Sequence, residues 1–152
     1  NLPERIECYD ISNISGALAV GSMVVLTGGE IDKSQYRKFK IEVDGKPDDY
    51  GMMSEVIRRR LKHDEWGKPD LIIIDGGRGQ VRAAFDEICK TDLKVTVFGL
   101  AKKMEWLYPP EGEIIKLSKS SLSLRLLQKI RDEAHRFAIT YHRKLRAKNQ
   151  FL

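Results

Sequence analysis

Residues 70–80 read Asp70-Leu71-Ile72-Ile73-Ile74-Asp75-Gly76-Gly77-Arg78-Gly79-Gln80. Four consecutive apolar residues leave no side of the strand for water. Such a run suits a central strand with helices covering both faces. The glycine-rich turn then opens a helix carrying Val81, Ala84, Phe85 and Ile88 at helical spacing. The strand ends on an acid, Asp75, and a second apolar strand, Ile6-Glu7-Cys8-Tyr9, also ends on one, Asp10.

Working outward from these two strands, period two places Ile6, Cys8 and Asp10 on one face and Arg5, Glu7 and Tyr9 on the other. Residues 13–16 offer turn chemistry before a strand over 18–26. Thr27-Gly28-Gly29-Glu30 offers another before a strand around 36–43, so the first three strands read as an antiparallel meander. Pro47-Asp48-Asp49 predicts a helix start, followed at helical spacing by Met53, Val56, Ile57, Arg60 and Leu61. A short strand is expected over 95–98. A small hairpin follows, with arms 105–107 and 113–116 around Pro109-Pro110 and Gly112. Leu124, Leu127, Ala134, Ala138, Tyr141 and Leu145 alternate steps of three and four and predict a long amphipathic helix, basic on its other faces. The order βββαβαβα gives an α/β fold of ribonuclease H-like layout. Its mixed central sheet joins a three-strand antiparallel meander to parallel strands, flanked by helices.

With 152 residues, 41% hydrophobic and 32% charged, the chain reads as one soluble domain spanning 1–152. A net charge of +5 favours an anionic partner, although 27 Lys and Arg are spread along the sequence. Cys8 and Cys89 form no Cys-x-x-Cys pair and no secretory leader is visible, so a disulfide framework and a structural zinc site are unsupported and a reduced, cytoplasmic setting is expected. No apolar run approaches the roughly 20 residues that cross a bilayer, which argues against membrane function.

A carboxylate at the end of a buried strand is costly unless a cation or hydrogen bonds compensate it. If the strands ending at Asp10 and Asp75 are parallel neighbours, the two acids meet at one sheet edge, where a divalent metal would compensate both. The plain alternative for Asp75-Gly76-Gly77 is a turn. For Asp10 that alternative is weaker, because Asp-Ile-Ser is a poor turn sequence. Spacing alone favours helix capping for both Asp48 and Asp49. His135 lies on the edge of the apolar stripe of the last helix, where a structural histidine is commoner than a ligand. His142 is two turns, about 10 Å, further along, so the two cannot share one metal as an i, i+4 pair can. His63 is expected to face solvent. The 76–80 turn lacks the P-loop ending and the dinucleotide spacing, which leaves a backbone phosphate contact as its milder functional reading. Basic clusters at 33–40, 58–60, 102–103 and 143–148 each read as solvated faces, but together with an acidic pocket they fit a phosphate-holding protein.

Six segments carry a resemblance to a known family: Glu7-Cys8-Tyr9-Asp10-Ile11-Ser12, Tyr36-Arg37-Lys38-Phe39, Pro47-Asp48-Asp49-Tyr50, residues 70–80, Gly99-Leu100-Ala101-Lys102, and Arg131-Asp132-Glu133-Ala134-His135-Arg136-Phe137-Ala138. In these the chain resembles the C-terminal endonuclease domain of the UvrC family of bacterial nucleotide excision repair. The resemblance implies a ribonuclease H-like domain that incises damaged double-stranded DNA on the 5′ side of a lesion, using Mg²⁺ or Mn²⁺. It implies catalytic roles for Asp10, Asp49, Asp75 and His135, reversing the spacing-based preference for Asp49 and His135. Asp10, Asp75 and His135 are the expected metal ligands, and Lys102 and Arg131 the candidate phosphate contacts. Where the family commonly has His after Asp-Ile-Ser, this chain has Asn13, so no role is carried onto it. The resemblance also implies a monomeric domain excised from a longer protein, with UvrB as the full protein's partner. The rival readings are a non-catalytic DNA-binding module of the same fold and a branched-DNA resolvase.

Overall fold

The computed structural model describes residues 3–15, 17–43, 48–100 and 106–150. Strands β1 (Arg5–Asn13) and β2 (Leu18–Thr27) pair antiparallel. β2 also pairs antiparallel along its other edge with both the two-residue β3 (Glu30–Ile31) and β4 (Arg37–Glu42). Sequence reading did not anticipate β3 or the short 3-10 turn Lys33–Gln35. The turn between β2 and β3 needs two left-handed residues, which Gly28 and Gly29 supply at φ of 59° and 82°.

On the other edge β1 pairs parallel with β5 (Leu71–Ile74), and β5 pairs parallel with β6 (Thr96–Leu100). β7 (Trp106–Tyr108) and β8 (Ile115–Lys116) form the expected hairpin, extending the sheet antiparallel. The result is a mixed sheet with a meander on one side and parallel strands in the middle, as the ribonuclease H-like reading requires.

The doubly apolar β5 does lie between helical layers. Helices α1 (Asp49–Leu61) and α2 (Arg78–Cys89) cover one face, packing Met53, Val56, Ile57, Val81 and Ile88 with Tyr9, Met23, Ile72 and Ile74. Helix α3 (Leu122–Gln150) covers the other, packing Leu127, Ile130 and Ala134 on Ile6, Cys8, Val24 and Ile73. Among the described residues, no helix is long and apolar enough to cross a membrane.

Glu7 alternates onto the face opposite Asp10 as expected; that face is the one α1 covers, and Glu7 is fully buried there. The 58–60 cluster is not uniformly a solvated face: Arg60 is 3% exposed and grips Glu7 with both arms, Nε to Oε1 at 2.9 Å and Nη2 to Oε2 at 2.8 Å. Helical spacing turns Arg60 inward, in the stripe of Val56 and Ile57. The Tyr9 hydroxyl donates to Glu7 Oε1 at 2.5 Å, and Arg5 Nε donates to Oε2 at 2.8 Å. Burial alone would push the Glu7 carboxyl up, but the hydrogen bonds and charge of Arg60, with Tyr9 and Arg5, hold it below the usual range. Arg60 also donates to the carbonyls of His63 and Gly67, fixing the loop that leads from α1 into β5. In that loop His63 is not directed freely into solvent. Its ring stacks on Trp66 with centroids 3.9 Å apart, and Nδ1 lies 2.6 Å from Glu65 Oε1.

Removing one partner of a buried bidentate pair strands the other charge. Arg60→Ala is therefore expected to lower unfolding stability by about 3–5 kcal/mol in urea melts at pH 7, and Glu7→Gln with Arg60→Met to recover a substantial part of the loss. Because the Glu7 carboxyl is held low in the fold, this contribution should be present above the unfolded-state carboxyl pKa. It should fade as pH falls through the lower folded value, which a pH series of the same melts would reveal. An Arg60→Ala protein as stable as the parent would show that the pair ties nothing together.

Candidate active site

Tyr9 pairs with Ile74 at the end of the parallel β1–β5 ladder, and the Asp75 N–H donates to the Tyr9 carbonyl at 2.8 Å. Asp10 and Asp75 are thus the next residues out on neighbouring strands, which establishes the adjacency that the sequence could only suggest. Alternation sends both side chains to the α3 face, beyond Cys8 and Ile73. There α3 comes close on its small residue Ala134, and His135 is carried just past the packed stripe. His135 Nε2 stands 2.7 Å from Asp75 Oδ2. Three of the four expected catalytic residues are therefore gathered at one point: Asp10, Asp75 and His135.

The electrostatics of this point are unbalanced. The Asp10 carboxyl is pushed up to about 7, first by burial and then by the Asp75 charge, and His135 only partly opposes this. Beneath the acids, burial and then the charges of Asp75 and Asp10 raise the Cys8 thiol well above its ordinary range, so it remains protonated and unreactive. Arg131 is only 21% exposed and approaches Asp132 at 3.8 Å, with its Nε buried and unpartnered. Its charge acts on the buried Cys8, and its largely buried side chain does not reach out as a surface arm.

The fourth expected residue, Asp49, is the first residue of α1. Asp48 takes the N-cap position, but its side chain makes no capping hydrogen bond, so the expected capping role is not realised. The adjacent Tyr50 ring lies against Gly79, where an added Cβ would come within 2.4 Å of the ring. This places the start of α1 beside the turn that follows Asp75. Asp49 is exposed there and shares no hydrogen bond or ion pair with the other three. Lys102 lies outside the described residues.

A cleft of about 490 Å³ runs from Asp10 along α3. Asp10 is the acid of its lining. Ser12 and Asn13 on β1 and His142 and Arg143 on α3 supply hydrogen-bond donors further along. Sequence spacing excludes His142 as a co-ligand of His135 but gives it no other role. A step of seven puts it on the same helix face, which is the signal that could have marked it.

Among the described residues, no three His, Cys, Asp or Glu side chains form a ready-made ring for a metal ion. The donors nonetheless suit a hard divalent cation: two adjacent carboxylates, one of them pushed up to about 7 by burial and by the other's charge, and an imidazole already facing the other.

Comparison with known proteins follows the same lines. Residues 1–139 match the family described as the UvrC RNAse H endonuclease domain. The UvrABC system protein C of Prosthecochloris aestuarii is 50% identical over 150 residues, covering 96% of this chain. That of Methanosarcina acetivorans is 48% identical over 152 residues, covering 97%. The chain spans only 24% and 30% of the lengths of these two proteins. Among solved structures, Ciona intestinalis Endonuclease V in complex with a 24mer DNA overlaps 66% of this chain and 46% of its own, at 19% identity and a TM-score of 0.48. With the family match running through Asp10, Asp75 and His135, and half the residues shared along almost the whole sequence, the chain belongs to the UvrC RNase H endonuclease domain family.

Proposed function

We propose that this chain is the part of a UvrC-type protein that hydrolyses a DNA phosphodiester bond, with Asp10 and Asp75 at the centre of the site. The observation that carries the reading is the pairing of two carboxylates at the ends of parallel strands, with Asp10 buried and repelled by Asp75. Family membership supports the substrate class. In the full protein we assign it the 5′ incision beside a lesion in duplex DNA, made in the cytoplasm in an assembly with UvrB.

Asp10 and Asp75 would hold Mg²⁺ or Mn²⁺, with His135 as a further ligand or as a proton carrier. Such an ion, when bound, polarises the scissile phosphate and the attacking water and offsets the charge that builds on the leaving oxygen. Water adds to phosphorus, the bond to the 3′ oxygen breaks, and the products are a 3′ hydroxyl and a 5′ phosphate. With His135 Nε2 donating to Asp75 Oδ2, its other ring nitrogen, Nδ1, would accept the proton that the water gives up and pass it on towards the leaving oxygen. Ser12, Asn13, His142 and Arg143 donate along the cleft, where the phosphate next to the scissile one would lie. Asp49, at the start of α1, is proposed to join the site when DNA and cation draw the acids together. Arg131 is proposed to limit the acid pair's charge.

Calorimetric titration of Mn²⁺ should give saturable binding in the wild type and none in Asp10→Asn. His135→Ala should retain DNA binding and lose nicking of a bubble-containing duplex by about 10²-fold or more. Equal Mn²⁺ uptake by wild type and Asp10→Asn would replace this reading with that of a DNA-binding module whose acids are structural. A second expectation concerns pH. Asp10 keeps its proton in the fold up to about 7, whereas an unfolded aspartate releases it near 4, so the site should cost stability increasingly as pH rises between those values. In chelator, Asp10→Asn should melt several degrees above wild type at pH 7.5, with the gain vanishing towards pH 4. Coincident melting curves across that range would remove the burial and repulsion inferred at Asp10.

A further inference from the structure

A second cleft lies on the opposite flank of α3. Arg136, Phe137, Thr140, Tyr141 and Lys144 recur at steps of three and four and form one wall, while His135, Ala138, Ile139 and His142 turn towards the acids. The facing wall is the 3-10 turn and the beginning of β4, with Lys33, Tyr36, Arg37 and Lys38. The cavity measures about 570 Å³, and among the described residues five cations, three aromatic rings and no acid line it.

Its charge is only partly neutralised internally. Glu133, buried beneath the wall, is already engaged by Arg136 through two bonds at 2.9 and 2.6 Å and by the Tyr36 hydroxyl at 2.9 Å. Arg37 donates to the carbonyls of Ser34 and Tyr36 and lies over Trp66. Lys38 has no carboxylate partner among the described residues. Its ammonium sits 3.9 Å from the centroid of Tyr141 and 5.2 Å from that of Phe137. Burial, and then the neighbouring Lys144, depress its pKa, as expected of a crowded group of cations lacking a counterion. Tyr36 meets Phe137 edge-on at 5.1 Å, so the rings beneath the lysines form a continuous support.

Strand register relates this cleft to the acids. Asp10 pairs with Ser22, and Ser22 pairs with Lys38, so the three form one row across β1, β2 and β4. Paired residues share a face, and two strand spacings separate Lys38 from Asp10 by roughly 10 Å at the backbone. Ser22, in the middle of the row, is buried on the face that α3 covers. The helix therefore forms a ridge with a carboxylate cleft on one side and a lysine cleft on the other. The separation is of the order of a B-DNA groove width, about 6 Å for the minor and 12 Å for the major.

We propose that the cleft of Lys33, Lys38 and Lys144 is a second DNA-backbone site, which grips duplex phosphates across α3 from the cut. The proposal rests on the reading of the chain as a DNA-processing domain, but it concerns binding rather than chemistry. Rings that hold Lys38 in place preorganise its charge, and Lys33 and Lys144 add to the attraction.

The test is binding of a fluorescent duplex to the 152-residue chain in EDTA across a salt series. The variants are Lys38→Met/Lys144→Met, Lys38→Arg/Lys144→Arg, and a control pair, Lys68→Met/Lys94→Met, at the opposite end of β5. Methionine preserves the packing over the rings, and an unchanged melting temperature verifies the fold. The groove pair should bind roughly 10- to 100-fold more weakly near 0.1 M salt, with the log–log salt slope reduced by about 2. Arginine should restore both, and the control should stay within about twofold. Wild-type affinity and slope in the groove pair, or an equal loss in the control, would overturn the proposal. If the groove effect holds while wild type neither takes up Mn²⁺ nor nicks DNA, the nuclease reading fails and the groove stands.

Discussion

The parallel pairing of β1 with β5 is the constraint from which the candidate site follows. Strands far apart in sequence, ending at residues 13 and 74, are held in a register that places Tyr9 opposite Ile74, and that register makes Asp10 and Asp75 neighbours. A slip of one residue would send the side chains of one strand to the other face and dissolve the pair. The two faces of β1 oppose such a slip, because Glu7 is held by Arg60 on one side while Ile6 and Cys8 pack under α3 on the other. The chemistry proposed for this domain is thus set by packing across the whole sheet.

β1 carries two acids with opposite fates. Glu7 is fully buried among the helices of one face, and Arg60, Tyr9 and Arg5 satisfy it so completely that its carboxyl stays ionised below the usual range. Asp10, three residues later on the other face, is less deeply buried yet pushed up to about 7. The fold readily supplies an arginine where a buried carboxylate is structural. Among the described residues no arginine bonds to Asp10, and the facing histidine bonds to Asp75 instead. That contrast within one strand distinguishes an acid that stabilises the fold from one that awaits a ligand.

Much of this was legible in the sequence because it depends on short-range periodicity. Alternation placed Asp10 on the face of Ile6 and Cys8, and the unbroken apolar run of 71–74 announced a strand covered on both sides. Relations between distant segments were less legible. Nothing in the spacing of His135 indicated that its ring would meet Asp75, and its assigned role, like that of Asp49, came from family resemblance. Arg60 sits in a run of three arginines and reads as surface, although the helical stripe containing Val56 and Ile57 already pointed it inward. The lysine cleft is assembled from β4 and α3, whose residues are separated by about a hundred positions, and each half alone looks like a solvated basic face.

Cys8 lies directly under the acid pair, and the same burial and negative charge that define the site keep its thiol protonated. Thiolate is the form that alkylating reagents and oxidants attack, so this cysteine is chemically silent despite its position. The chain's other cysteine, Cys89, is exposed at the far end of α2. A thiol-directed probe added to the native protein therefore labels a single, distant position. This gives a natural attachment point for reporters that leaves the acidic cleft untouched.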